Sequence, residues 1–186
     1  MRVKGCLAGC WLMVLLAGIR VCADDVPVAV DSADYEIEVV LDATAHRLQA
    51  VEKIRWTNRT EVATEELFLH LYLNAFASSE TTFMRELGRS MPGLRPRSDG
   101  DWGWIRIVRM QLDDGSDLLP AMEFMRLDDG NPNDFTAARI LLPRTVEPGE
   151  VIELELEFVA QLPRIMARTG FAGDFHHTPS SVKTIK

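Results

Sequence analysis

Outside its first 23 residues the chain has no cysteine, because Cys6, Cys10 and Cys22 all fall in the opening segment. A mature chain beginning at Asp24 therefore has no disulfide framework, no thiol nucleophile and no thiolate metal site. Its stability must come from packing. Lysine is scarce too: between Asp24 and Thr178 the only one is Lys53, and the other cations are arginine. The helical zinc pattern, two histidines four apart around a glutamate, is absent. Four residues after His46 stands Ala50, after His70 Asn74, and after His176 Ser180. Gly-x-Ser-x-Gly and a phosphate-cradling glycine loop are missing as well. Positive charge is deficient overall. The net charge is −8, and removing Arg2, Lys4 and Arg20 with the opening segment takes it to −11. Such a surface repels nucleic acid and anionic lipid.

The opening segment reads as an export signal. Met1-Arg-Val-Lys4 is cationic, Gly5 to Ile19 is apolar, and Val21-Cys22-Ala23 offers small residues before Asp24. That apolar stretch suits a secretory signal and falls short of the roughly 20 residues a spanning helix needs. A signal peptide is expected over 1–23, with the mature chain periplasmic or extracellular and free of the membrane. Leu7-Ala8-Gly9-Cys10 spells a lipoprotein box, but most of the apolar run follows it, so it is read as a chance match inside the signal.

What remains is long enough for one domain with its own core, and it reads as strands. Tyr35–Leu41 alternates apolar and polar residues, the pattern of a half-buried strand. Ala50–Thr57 follows suit, with Val51, Ile54 and Trp56 supplying bulk. Glu66–Leu73 is nearly continuously apolar, as in a strand covered on both faces. Trp104–Leu112, Met122–Leu127, Ala138–Leu142 and Val151–Phe158 complete the set. In the last, Ile152, Leu154, Leu156 and Phe158 face one way and Glu153, Glu155 and Glu157 the other. Turns are expected at Asp113-Asp-Gly115, Asp128-Asp-Gly130 and Pro148-Gly149, a helix only over Ser78–Gly88, and a polar loop over Pro92–Gly103. This spacing predicts an all-β fold, an antiparallel β-sandwich.

Candidate site residues are few. His70, inside an apolar strand, reads as a satisfied core or interface histidine. His176 and His177 beside Asp174 read as a fraying segment, since neighbours on a strand point to opposite faces. Asp129-Gly-Asn-Pro-Asn-Asp134 is oxygen-rich, but Asp134 and Ile140 stand where a calcium loop needs Gly and Glu, so a turn of Asx caps is expected. Trp102-Gly-Trp104 could stack a sugar or peptide, or pack as a lid. Asn58-Arg-Thr60 is a glycosylation sequon in a eukaryotic host. No catalytic, cofactor-binding or metal residue is assigned.

Several segments taken in order carry a resemblance. Tyr35-Glu-Ile-Glu, His46-Arg-Leu, Ile54-Arg-Trp-Thr-Asn58 and Glu66-Leu-Phe-Leu-His-Leu-Tyr-Leu-Asn-Ala-Phe76 come first. Pro148-Gly-Glu150, Leu154-Glu-Leu-Glu-Phe158, Leu162-Pro163 and Arg168-Thr-Gly-Phe-Ala-Gly-Asp-Phe175 follow. The set resembles the first domain of aminopeptidase N-like zinc metallopeptidases (gluzincins). It implies a saddle-like sandwich over 24–177 that packs against a thermolysin-like catalytic domain. Zinc would belong to that domain, so none is expected in this chain, and the chain alone is expected to be inactive. The Gly-x-Met-Glu-Asn anchoring loop of such enzymes has no counterpart here. Ala121-Met122-Glu123 imitates its centre, with Pro120 and Phe124 at the flanking positions. Beyond Phe175 the resemblance ends. Residues 178–186, with Lys183 and Lys186, read as a divergent tail, and an incomplete sandwich prone to self-association through exposed edges is expected. The alternative is a free-standing secreted sandwich that binds peptide or glycan through Trp102 and Trp104.

Overall fold

The computed structural model describes residues 32–91, 99–126, 129–164, 169–177 and 182–185, the last four as backbone only. The signal-peptide expectation lies outside the described residues, as do part of the Pro92–Gly103 loop and Arg168. The fold is an all-β antiparallel sandwich. One sheet holds β1 (Ala33–Asp42), β2 (Arg47–Thr57), β7 (Val151–Gln161) and β4 (Trp104–Leu112), in the order β1-β2-β7-β4. The other holds β10 (Val182–Ile185), β3 (Thr64–Leu71), β6 (Ala137–Val146) and β5 (Met122–Met125), in the order β10-β3-β6-β5. A small ribbon pairs β8 (Gly170–Ala172) with β9 (Phe175–His177). The single α-helix among the described residues is α1 (Thr82–Ser90).

The inner faces share one core. Ile54 and Trp56 of β2, Leu154 and Leu156 of β7, and Met110 of β4 meet Leu69, Leu71 and Ile140 of the opposite sheet. On β7 the expected alternation holds: Ile152, Leu154, Leu156 and Phe158 are buried, while Glu153 is exposed and Glu155 and Glu157 are half-buried.

Elsewhere the structure corrects the sequence reading. Tyr35–Leu41, expected half-buried, is exposed throughout because β1 is an edge strand that overhangs the core. On β2 the inward positions are Leu48, Ala50, Glu52, Ile54 and Trp56, so Val51 turns outward and a carboxyl group turns in. The apolar run of β3 leaves the strand at Leu71 and continues as a 3-10 turn over Tyr72–Phe76. Asn74 fixes that turn by accepting from the Ile105 N–H at 2.9 Å and donating to the Phe135 carbonyl at 2.9 Å. The helix starts later than Ser78, at a Thr81 cap whose hydroxyl accepts from the Met84 N–H at 3.3 Å and donates to the Ala75 carbonyl at 2.6 Å. β6 runs on through Pro143, which sits where the register with β3 shifts between Thr64 and Glu66, a place a strand tolerates proline. β4 is bulged between Ile107 and Arg109. The extra residue Val108 moves outward, and the inward positions change from Ile105 and Ile107 to Met110 and Leu112. Val182–Ile185, within the segment read as a divergent tail, pairs antiparallel with Leu71–Phe68 and so adds a strand to the second sheet.

Candidate functional site

The sequence candidates disperse over the fold. Trp102 packs against the core, whereas Trp104 is half-buried on the outer face of the first sheet, with the Arg106 and Arg47 guanidinium carbons 5.2 and 5.9 Å from its ring centre. The two tryptophans do not form a joint platform. Gly103 between them is wedged on Pro163, and a Cβ there would lie 2.4 Å from Pro163 Cδ. His70 is not in the core; it is half-buried on the outer face of β3, 6.0 Å from the Tyr72 ring centre. The Asp129–Asp134 loop is a chain of Asx turns, as expected. Asp129 accepts from the Asn131 N–H, Asn131 from the Asn133 N–H and Asp134 from the Thr136 N–H, each at 3.0 Å. Asn58 of the sequon is fully buried. Its amide donates to the Val62 and Val146 carbonyls while its oxygen accepts from Thr60, leaving nothing exposed for a glycan. Glu123 pairs with Arg139 on the outer face of the second sheet at 2.9 Å.

His176 does not fray. It is the middle residue of β9, opposite Phe171, and its Nε2 lies 2.9 Å from Nδ1 of His46 in the β1–β2 turn. His177 points the other way and is exposed. No group of three or more His, Cys, Asp or Glu side chains among the described residues is placed to hold a metal ion.

One buried side chain stands apart. Both carboxyl oxygens of Glu52 are buried and neither has a hydrogen-bond partner. Its strand neighbours are Leu156 on β7 and Ile37 on β1. Burial disfavours the charged form and pushes its pKa up to about 7. It is a carboxyl group without a hydrogen-bond partner inside the apolar core.

Among the described residues, the largest concentration of exposed apolar side chains is on β1. Tyr35, Ile37, Val39 and Leu41 share the inner face with Leu48, Ala50, Glu52 and Ile54 of β2, yet they are 40–50 % exposed. On the outer face Val40 is 70 % exposed. It opens onto a shallow depression of about 640 Å³ lined by Val51, Val108 and Val159 and rimmed by Glu38, Gln49 and Glu157. That face also carries ion pairs: Arg109 bonds both Glu155 and Glu157, and Arg55 lies 3.7 Å from Glu153. Such exposed pairs are screened by solvent and contribute little to stability. Among the described residues β2 pairs with one edge of β1 and no strand pairs with the other. A second, smaller apolar opening of about 360 Å³ lies where β4 and β5 end the two sheets, with Phe124 and Phe135 edge-to-face at its mouth.

Sequence reasoning missed β1 as a surface because alternation reports which residues share a face, not whether anything covers that face. It missed the His46–His176 pair because the partners are 130 residues apart.

No protein-family model matches the chain, and no curated protein matches it. Among solved structures the chain is similar to the CBM3a-L domain with flanking linkers from scaffoldin cipA of the cellulosome of Clostridium thermocellum. Identity is 10%, the TM-score is 0.35, and the match covers 82% of this chain and 84% of that one. A superposition so loose assigns neither a binding activity nor a family. Among the described residues, no helix is long and apolar enough to cross a membrane.

Proposed function

We propose that this chain is a non-catalytic interaction domain, the front sandwich of an exported aminopeptidase N-like zinc metallopeptidase, and that β1 is the surface a catalytic domain covers. The observation carrying this is the concentration of exposed Ile37, Val39, Val40 and Leu41 on β1, the strand that ends its sheet among the described residues. Contiguous apolar surface of that kind marks a place of association, and an unpaired edge adds backbone donors and acceptors. The ordered resemblance supports the identity of the partner. One of its strongest pieces, Glu66–Phe76, forms β3 and the following turn, with Leu67, Leu69, Leu71, Leu73 and Phe76 in the core, and Pro148-Gly-Glu150 makes the β6–β7 turn. Zinc and catalysis belong to the partner domain on this reading, and the chain alone hydrolyses nothing.

The test mixes the purified chain with a separately produced catalytic domain of such a peptidase. The reading expects a one-to-one complex, weakened at least tenfold by Val39→Glu with Val40→Glu, and no release of amino acids from aminoacyl reporters by the chain alone. Absence of a complex, together with binding of peptide or glycan that Trp104→Ala abolishes, would favour the secreted binding module instead. That second reading rests on Trp104 and the two arginines over its ring.

A further inference from the structure

β4 ends the first sheet and β5 the second, so among the described residues the sandwich lies open along this side. The cavity of about 360 Å³ found there reaches the core itself: the buried Leu71, Ile105 and Ile107 line it, together with Met122, Phe124 and Phe135. Its shape is fixed by Asn74, a buried side chain that stitches three segments together. The Asn74 oxygen accepts from the Ile105 N–H and its amide donates to the Phe135 carbonyl, each at 2.9 Å. The Ile105 N–H thus turns away from β7, and along an antiparallel ladder amides two residues apart face the same way. Ile105 and Ile107 stand opposite Ala160 and Phe158 in one unbroken register, so the Ile107 N–H faces the open edge too, where no described strand pairs with β4.

We propose that this cavity binds a small aromatic carboxylate. Charge complementarity selects the anion. In a chain of net charge −8, the one charged residue lining the cavity is a cation, Arg106, and no acid lines it. The Arg106 guanidinium lies 5.2 Å from the ring centre of Trp104, which also lines the cavity, and among the described residues no carboxylate pairs with it. A guanidinium presents a planar fork of donors that matches a carboxylate. The Ile107 N–H adds a backbone donor on the same strand, and a donor held away from water gains by meeting an acceptor. The aromatic body is selected by the walls. Phe124 and Phe135 are both exposed, 5.1 Å apart and crossed at 78°, so a flat ring entering between them meets one edge and one face. A mostly apolar cavity of a few hundred Å³ with a few polar groups to fix orientation is the usual form of a small-molecule site. The inference is independent of β1 as a docking face, and it differs from the second reading above in its ligand.

The experiment titrates naphthylacetate into the isotope-labelled full chain and follows the backbone amides by NMR, with naphthylethanol as the uncharged counterpart. A ligand of roughly 14 heavy atoms should bind with a Kd of about 1 mM or below. The amides of Ile105, Arg106 and Ile107 should shift, and the acid should bind at least fivefold more tightly than the alcohol. Arg106→Gln should bring the acid down to the alcohol's affinity and leave the alcohol unchanged, whereas Phe124→Ala should weaken both. Val39→Glu with Val40→Glu, on β1, should change neither. All of these side chains are exposed, and thermal unfolding of each variant checks that the fold is kept. Equal affinity for acid and alcohol in the parent, a preference for the acid that survives Arg106→Gln, or no amide shift in a folded parent at about 10 mM acid would overturn the proposal.

Discussion

β7 and β1 are written in the same alphabet, apolar residues alternating with acids, and they come to opposite ends. β7 has β2 on one side, β4 on the other and the second sheet over its apolar face, so Leu154, Leu156 and Phe158 are buried. β1 has β2 on one side and, among the described residues, nothing on the other, so Ile37 and Val39 stay 40 % and 50 % exposed. Alternation specifies a two-faced strand. Burial depends on what stands opposite, and that is decided by segments distant in sequence.

The comparison can be broken most forcefully by moving one charge between the two strands. Leu156→Asp puts a carboxylate into a fully buried site and should unfold the domain, with a loss of at least about 4 kcal/mol in urea denaturation. Ile37→Asp, on the matching alternation of β1, should cost under about 1 kcal/mol. Comparable losses would mean β1 is covered after all.

The next largest effect comes from Glu52, which lies between the two strands in register with both. Its folded pKa of about 7 lies above the ordinary value of 4.5, so the folded state holds this proton more tightly than the unfolded one. The associated stability is fully present below about pH 4.5, falls as pH rises towards 7 and is gone above it. The size is roughly 3 kcal/mol at about 1.4 kcal/mol per unit. Unfolding curves at pH 5 and pH 8 should differ accordingly, and Glu52→Gln should remove the difference attributable to this group. A pH 8 stability equal to that at pH 5 in the parent would show that the carboxyl reaches water.

Smallest of all should be Glu155→Ala. It removes one half-exposed partner of Arg109, which still bonds Glu157. A change within about 0.5 kcal/mol is expected, measured in the same denaturation series.

Much of the frame was legible beforehand. The alternation of Ile152–Phe158, the Asx chain of Asp129–Asp134 and the turn at Pro148-Gly149 are local signals, and local chemistry executes them. The misreadings came where tertiary contacts decide. Val51 and Ile54 are three residues apart and cannot share a face of a regular strand, and the phase was set instead by Ile54 and Trp56, drawing Glu52 inward. A bulge at Val108 reset the phase of β4 without any glycine or proline to announce it. An apolar run cannot say whether it continues as strand or as a 3-10 turn, and the hydrogen bonds of Asn74 settled that for Tyr72–Phe76. Of the candidate surface, the tryptophans were visible and β1 was not.

The most direct test of β1 as a docking face is amide hydrogen exchange of the chain, alone and with the catalytic domain of an aminopeptidase N-like enzyme. The account predicts that protection rises across Ala33–Asp42 and the neighbouring Val108, while the interior amides of β7 keep the protection they already have. Unchanged exchange in β1, with protection appearing around Trp104 or nowhere, would contradict it.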